Sequence, residues 1–316
     1  MAEKIILGIS SCLLGQEVRY DGGHKLDRYL KDTLGRFVEY VPVCPEVECG
    51  LPIPREAMRL VGDPENPRLM TIRTKIDHTD QMKAWGKKRL AELEKIDLGG
   101  YIFKSRSPSS GMSRVKVYDQ SGMPSRHGSG IWARMFMDHF SYLPVEDEGR
   151  LHDPKLREMF IERIFMYKRW RDSFAENRTL GRLVEFHTRN KMLILSHSEA
   201  IYRQMGKLVA DGKKMDRDKL SEKYFDLLAR AMGFKTTIKK NRNVLQHMIG
   251  YFKKELTSEE KQEFDEILNR YGREELPLIV PITLINHYVR KFNQAYLAGQ
   301  YYLNPHPQEL SLRNHA

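Results

Sequence analysis

Three cysteines, Cys12, Cys44 and Cys49, are the residues of this chain best suited to unusual chemistry. All three lie in the first fifth of the 316 residues, and the last two share the segment CPEVECG with a C-x₄-C spacing. An odd number of cysteines argues against a disulfide framework and fits a reducing compartment. Because most iron–sulfur clusters have four cysteine ligands, three thiolates could hold a [4Fe–4S] cluster with one open iron. The alternative is three buried, inert thiols.

Polar side chains accompany these cysteines. Glu46 stands between Cys44 and Cys49, and a carboxylate beside a cluster could act as a general base; a surface or capping role is the alternative. The segment 104–111, KSRSPSSG, has hydroxyls, cations and amides that could hold an anion or the polar edge of a base. An ordinary solvated turn would explain the same residues. The candidate substrate-binding residues are Ser11, beside Cys12, and four residues of this segment: Lys104, Arg106, Ser109 and Ser110.

The first half of the chain has the pattern of an α/β domain that would bring these segments together. Apolar or β-branched runs at 4–10, 37–43 and 101–104 predict strands. Predicted helices cover 26–34, 77–95 and 130–140. The alternation indicates a Rossmann-like or flavodoxin-like three-layer fold with a mostly parallel sheet. Because ligands bind beyond the carboxyl ends of parallel strands, we expect the cysteine loops and the serine loop to meet there.

The second half changes to helical periodicity with few β-branched runs. We therefore expect a first domain at 1–150 and an all-α C-terminal domain at 151–316. Predicted helices cover about 155–175, 179–194, 196–212, 218–232, 238–255, 258–272, 278–292 and 293–300. Thr257, which opens the segment TSEE, is a predicted helix start.

The positive charge is concentrated in that helical half. Of the net charge of +11, residues 1–150 contribute +2 and residues 151–316 contribute +9. A basic half suggests a polyanionic partner such as RNA; a merely basic, soluble surface is the alternative. The candidate RNA-binding residues are Arg182, Arg189, Lys191, Lys239, Lys240 and Arg242. Tyr202, Tyr251 and Phe252 could stack on bases, but we expect them in the core, and we expect His187, His197, His247 and His287 to be structural.

The sequence has no features of a membrane or secreted protein. No run approaches the ~20 apolar residues of a membrane span, and the start lacks the regions of a signal peptide. We expect a cytoplasmic location, no membrane partner and no obligate protein partner.

Five motifs in order resemble the TudS-like thiouracil desulfidases: SSCLLG, RYDGG, VCPE, GLPIPR and KSRSPSSG, between residues 10 and 111. In the helical half, EFHTRNKMLILSHS and PLIVPITLINHY look like the YbgA-type domain. Chains that join the two resemble the tRNA 4-thiouridine desulfidases, which return 4-thiouridine in RNA to uridine. The resemblance implies an α/β fold with an open [4Fe–4S] cluster, Cys12 and Cys44 as ligands, Glu46 as acid/base residue and Ser107 as a polar group on the substrate side.

One position departs from the family pattern. The pattern reads SPSCG in the third loop, and its cysteine is the third cluster ligand, whereas this chain has Ser110 there. The chain has Cys49 at a position where the pattern has no cysteine, so we expect Cys49 to supply the third thiolate. The alternatives are that Ser110 binds iron weakly or that the cluster is lost.

The implied reaction is a hydrolysis without net redox change. The thiocarbonyl sulfur would dock on the free iron, a Lewis acid, while Glu46 takes a proton from the attacking water. We expect thiolated tRNA as the substrate. Two alternatives stay open: desulfidation of free thiouracil, with the helical half serving assembly, and non-catalytic RNA binding with a vestigial cluster site.

Overall fold

A computed structural model describes residues 4–175, 177–310 and 312–314. The chain divides into two compact units, Met1–Phe160 and Ile161–Ala316. The change of composition at 150/151 lies shortly before this division. None of the described helices combines the length and the apolarity that a membrane span requires.

The strands of the first unit form two four-stranded sheets. They are β1 (Ile5–Ser10), β2 (Val38–Val43), β3 (Met58–Val61), β4 (Arg68–Thr71), β5 (Leu98–Phe103), β6 (Val115–Tyr118), β7 (Pro124–Gly128) and β8 (Val145–Asp147). The first sheet has the order β2–β1–β5–β8 and is parallel throughout. Its central strands are apolar and almost entirely buried, as expected for a parallel sheet covered on both faces. The expected α/β fold with a parallel sheet is confirmed.

The second sheet is mixed and does not follow from the sequence pattern. Its order is β4–β3–β6–β7, with β3 and β6 parallel and the two outer pairs antiparallel. These strands have only four or five residues each, too few for a reliable alternation of apolar and polar side chains.

The helices of the first unit are α1 (Pro45–Glu48), α2 (Thr79–Leu93) and α3 (Ile131–His139). Helices α2 and α3 share apolar clusters with the strands, and the short α1 contacts α2. Trp132 and Phe136 of α3 pack against Tyr101 of β5 in an aromatic core. The helix predicted at 26–34 is instead a single π-helical turn, Tyr29–Thr33, followed by a 3-10 turn that contains Gly35, a weak helix former.

The second unit is helical, as predicted. Its helices are α4 (Pro154–Phe174, which begins in the first unit), α5 (Leu180–His197), α6 (Glu199–Ala210), α7 (Arg217–Gly233), α8 (Ile238–Ile249), α9 (Ser258–Gly272), α10 (Ile279–Lys291) and α11 (Ala295–Ala298). Thr257 forms the predicted start of α9 as a capping box with Glu260. The helix predicted at 238–255 ends earlier, at Ile249, before a 3-10 turn at Gly250–Phe252.

Buried polar groups fix the centre of this helical unit. His197 is fully buried between the Glu162 carboxylate, 3.3 Å from Nε2, and the Phe234 carbonyl, which accepts from Nδ1 at 2.7 Å. Arg313 donates to the other oxygen of Glu162 at 2.7 Å. Although burial opposes ionisation, His197 and Arg313 hold the pKa of Glu162 below its ordinary value. The expectation of a structural role agrees with this placement of His197.

Candidate active site

The carboxyl ends of β1, β2 and β5 open onto one cavity of about 450 Å³. Register explains the convergence, because Ser10 at the end of β1 pairs with Val43 at the end of β2. The loops that follow these strands therefore start level with one another. The volume of the cavity lies in the ordinary range of ligand pockets. Its lining includes eight of the predicted residues: Ser11, Cys12, Cys44, Glu46, Lys104, Arg106, Ser107 and Ser110.

The two cavity cysteines are buried thiols. Cys12 and Cys44 are each 8% exposed. Burial raises the pKa of Cys12 to about 11, and burial together with the Glu46 carboxylate raises that of Cys44 to about 12. Because the thiolate is the metal-binding form, a metal centre here would have to displace both protons.

The third cysteine does not lie on this cavity. The Cys49 thiol is 3.2 Å from the Glu46 carbonyl oxygen, and its side chain packs against the cluster of Leu60 and Met82. By contrast, Ser110 is 3% exposed and does line the cavity. The helical turn of α1 separates Cys44 from Cys49 and turns the latter toward α2, where Gln81 donates to its carbonyl at 2.8 Å. The geometry therefore does not support Cys49 as the third ligand beside Cys12 and Cys44.

The Glu46 carboxylate is held from three directions. The Ser109 hydroxyl donates to Oε1 at 2.5 Å, and the Cys44 thiol lies 3.6 Å from Oε2. The Arg55 guanidinium, itself only 7% exposed, lies 3.9 Å from Oε2. These contacts keep the carboxylate within the cavity and beside the thiol, where it can exchange a proton with a bound molecule or water.

The serine loop folds around the Ser107 hydroxyl. Its oxygen accepts from the backbone amides of Ser109 at 3.3 Å and Ser110 at 3.1 Å. The loop packs so closely on the start of α3 that a Cβ on Gly130 would lie 2.4 Å from the Ser109 carbonyl carbon. Only glycine permits that approach. Ser109 itself is fully buried and reaches the cavity through Glu46 rather than by lining it.

Several residues of the site carry no role in the sequence analysis. Arg19, Lys25 and Arg55 also line the cavity, and Glu148 forms an ion pair with Lys104 and accepts from the Ser105 amide at 2.6 Å. Arg19 belongs to the motif RYDGG and Arg55 to the motif GLPIPR, and this membership could have marked both as site residues. Glu148 lies far along the chain, and nothing in its local sequence marks it.

The predicted RNA-binding residues are distributed over the second unit. Arg182 and Arg189 line one small cavity of about 270 Å³ with Asn190 and Tyr301. Lys240 donates to the carbonyls of His197 and Lys235, which gives it a structural role. Arg242 donates to Asn269 at 3.2 Å. The ammonium group of Lys191 lies over the Tyr296 ring, and Lys239 has no resolved partner among the described residues.

Comparisons with known proteins cover the two halves separately. A family model described as 2-thiouracil desulfurase matches residues 7–148, and one described as a protein of unknown function, DUF1722, matches residues 191–307. The uncharacterized protein YbgA of Escherichia coli (strain K12) is 32% identical over 137 residues, which cover 43% of this chain and 81% of that protein. The uncharacterized protein YbbK of Bacillus subtilis (strain 168) is 29% identical over 132 residues, which cover 40% and 86%.

Among solved structures, the [4Fe-4S]-dependent thiouracil desulfidase TudS is 31% identical, and the match covers 48% of this chain and 94% of that one. The backbone superposition has a TM-score of 0.38. The chain thus joins a TudS-like 2-thiouracil desulfurase domain to a YbgA-type domain, and through the latter it belongs to the YbgA family.

Proposed function

We propose that the first unit removes sulfur from a thiolated uracil by hydrolysis, with a [4Fe–4S] cluster in the cavity at the ends of β1, β2 and β5. The observation that supports this most is the convergence of Cys12, Cys44 and Glu46, from two separate loops, on one cavity. Membership of the 2-thiouracil desulfurase family and the cofactor of the TudS relative point to the same activity.

The donor groups of the cavity suit such a cluster, with one difference. Cys12 and Cys44 supply two thiols, and the buried Ser110 hydroxyl occupies the third loop where the family pattern has cysteine. We propose these three as the protein donors, because Cys49 would have to leave its packing against Leu60 and Met82 to take part. When bound, a cluster with an iron that lacks a protein ligand supplies a Lewis acid for the thiocarbonyl sulfur.

Glu46 is the proposed general base. Its carboxylate takes a proton from water as the water oxygen attacks the ring carbon that bears the sulfur. The carbon–oxygen bond forms, the carbon–sulfur bond breaks, sulfur leaves as sulfide, and no electrons are exchanged. Ser109 and Arg55 orient the carboxylate for this step. Ser107, which lines the cavity, is the proposed polar contact to the uracil edge.

The charge of the cavity favours a nucleotide within RNA over a free base. Three of its five cations are paired: Lys104 with Glu148, Arg55 with Glu46 and Arg19 with Asp21. The other two, Lys25 and Arg106, are exposed and have no ion pair among the described residues. Free thiouracil has no phosphate for such cations, whereas an RNA strand has one on each side of the base. We therefore propose 4-thiouridine in tRNA as the substrate.

The decisive experiment compares three substrates. The protein is reconstituted with iron and sulfide without oxygen, and desulfidation is measured on 4-thiouracil, on 4-thiouridine and on thiolated tRNA. We expect tRNA to have the highest kcat/KM and Glu46→Gln to abolish turnover at an unchanged iron content. Glu39→Gln, an exposed carboxylate on β2, is the matched control. A kcat/KM for free 4-thiouracil equal to that for tRNA would instead assign the protein to small-molecule desulfidation.

Ser110 supports one other candidate, a non-catalytic RNA-binding protein whose cluster site is vestigial. An oxygen donor in place of a thiolate weakens a site built for iron and sulfur, because soft thiolates are the preferred ligands of iron–sulfur clusters. Protein that takes up no iron under reconstitution but binds tRNA would identify this case.

A further inference from the structure

Five side chains of the second unit form a group that the desulfidase chemistry does not use, in which Lys191 lies over one ring pair and acts electrostatically on His187 of the other. They come from α5, α6, the 3-10 turn after α8, and α11, so they are distant in sequence. Its members, called the tyrosine–lysine patch below, are His187, Lys191, Tyr202, Tyr251 and Tyr296.

The patch is built on two pairs of rings that are nearly parallel. Tyr251 and Tyr296 stack with centroids 5.0 Å apart and an interplanar angle of 21°. His187 and Tyr202 are 6.4 Å apart at 16°. Tyr251 is 40% exposed, whereas its neighbour Phe252 is 1% exposed and belongs to the core. An exposed aromatic ring that is already ordered by a stacked partner offers a flat apolar face to a ligand, and it loses little conformational entropy when the ligand binds.

A cation without a carboxylate partner completes the patch. The Lys191 ammonium lies 4.9 Å from the centroid of the Tyr296 ring, and no ion pair of Lys191 occurs among the described residues. Other cations of this unit are paired, such as Lys291 with Glu260 and Arg203 with Glu199. Burial and the charge of Lys191 lower the pKa of His187 to about 4, so this imidazole is neutral at pH 7. The only fixed charge within the patch is therefore positive.

We propose that the tyrosine–lysine patch binds an unpaired nucleotide of an RNA strand, with the base stacked on Tyr251 and the adjacent phosphate beside Lys191. This rests on the proposed action on RNA and adds a second place where the chain holds it. Aromatic rings stack on unpaired bases regardless of sequence, and lysine contacts the backbone phosphate. Because paired bases cannot be reached in this way, the site selects a loop or a single strand over a duplex.

The test measures RNA binding by the full chain. Fluorescence anisotropy of a labelled RNA gives the Kd at several salt concentrations. The probes are an unthiolated RNA hairpin with an unpaired loop and the corresponding perfect duplex. Tyr251→Leu should weaken binding of the hairpin about tenfold, within the range for loss of one stacked base. Lys191→Met should weaken binding and reduce the slope of log Kd against log salt by about one unit.

Matched controls lie in the same unit. Phe234→Leu removes another exposed aromatic ring, and Lys253→Met removes another exposed cation. Both should bind the hairpin as the unsubstituted chain does. Equal losses in the controls, or equal affinity for hairpin and duplex, would mean that RNA attaches to a diffuse basic surface, and the proposal would be overturned.

Desulfidation of free 4-thiouracil, measured on the same samples, separates this proposal from the proposed function. Tyr251→Leu should leave that rate unchanged. A chain that desulfidates 4-thiouracil but binds no hairpin would overturn the proposal that the patch binds RNA, and thiouracil desulfidation would still stand. A chain whose Tyr251 and Lys191 variants lose hairpin binding, but which shows no desulfidation, would support the patch without the enzyme.

Discussion

The Ser109 hydroxyl donates a hydrogen bond to Oε1 of Glu46 at 2.5 Å, and this bond joins the loop after β5 to the loop after β2. Glu46 thereby receives its orientation from a residue 63 positions away in sequence. Because Ser109 is fully buried and does not line the cavity, it acts through Glu46 and not on the substrate.

Removal of that hydroxyl should lower turnover without loss of the cofactor. We expect Ser109→Ala to reduce kcat at least about tenfold, since general-base catalysis depends on the position of the base and typically contributes ~10²–10⁴-fold. KM and iron content should change little. The comparison is Ser121→Ala, which removes an exposed hydroxyl bonded to Asp119. A change in KM alone would contradict the positioning role.

The placement of the cysteines predicts which substitutions remove iron. Cys12→Ser and Cys44→Ser should abolish iron uptake and the absorbance near 400 nm, because both thiols line the cavity. Cys49→Ser should retain iron, since its sulfur lies against the Glu46 carbonyl outside the lining. Ser110→Cys should slow the loss of iron to a chelator, because a thiolate replaces a weaker donor. Iron loss in Cys49→Ser equal to that in Cys12→Ser would restore Cys49 as a ligand.

Removal of either of the two cations without ion pairs should affect activity on RNA but not on the free base. We expect Lys25→Met and Arg106→Met each to lower kcat/KM for thiolated tRNA at least about tenfold, because one lost contact to a charged group costs ~1.5–3 kcal/mol. The rate of each variant on 4-thiouracil should stay within roughly twofold of that of the unsubstituted chain, because this substrate has no phosphate for the cation to contact. Lys116→Met, an exposed cation on β6 outside the cavity, is the control. Equal losses on both substrates would show that these cations serve the cavity and not the RNA backbone.

The parallel sheet and most of the site could be predicted from sequence, because both depend on local patterns. Apolar runs gave β1, β2 and β5, and the rule that ligands bind at the ends of parallel strands brought the loops with Cys12, Cys44 and Ser110 together. The position of Cys49 outside the cavity lining has a local physical cause. The short helix α1 lies between Cys44 and Cys49 and turns the second thiol away, and spacing alone does not reveal the direction of a side chain.

Long-range contacts account for the rest of what the sequence could not reveal. Glu148 and Ser109 hold Lys104 and Glu46 through contacts that span 44 and 63 residues. The sequence predicts both Tyr251 and Phe252 in the core, but the 3-10 turn that follows α8 exposes the first ring and buries the second. Such turns follow from packing rather than from periodicity.

The buried imidazole of His187 should make the helical unit sensitive to mild acid. Burial and Lys191 lower its pKa from 6.5 to about 4 in the folded chain, where its Nδ1 contacts the Tyr224 hydroxyl at 3.0 Å. The unfolded chain therefore binds a proton between these values and the folded chain does not. It follows that the free energy of unfolding falls as pH drops from about 6.5 toward 4, by at most about 3 kcal/mol for this group.

Urea unfolding followed by circular dichroism at pH 7.5, 6 and 5 measures this dependence. His187→Gln should lower stability at pH 7.5, because it disturbs a buried contact, but should flatten the decline toward pH 5. His306, whose pKa burial also lowers to about 4, keeps part of the decline in that variant. His287→Gln, an exposed position on α10, should reproduce the original slope. An unchanged slope in His187→Gln would mean that His187 takes up its proton without unfolding, which would contradict a buried neutral imidazole.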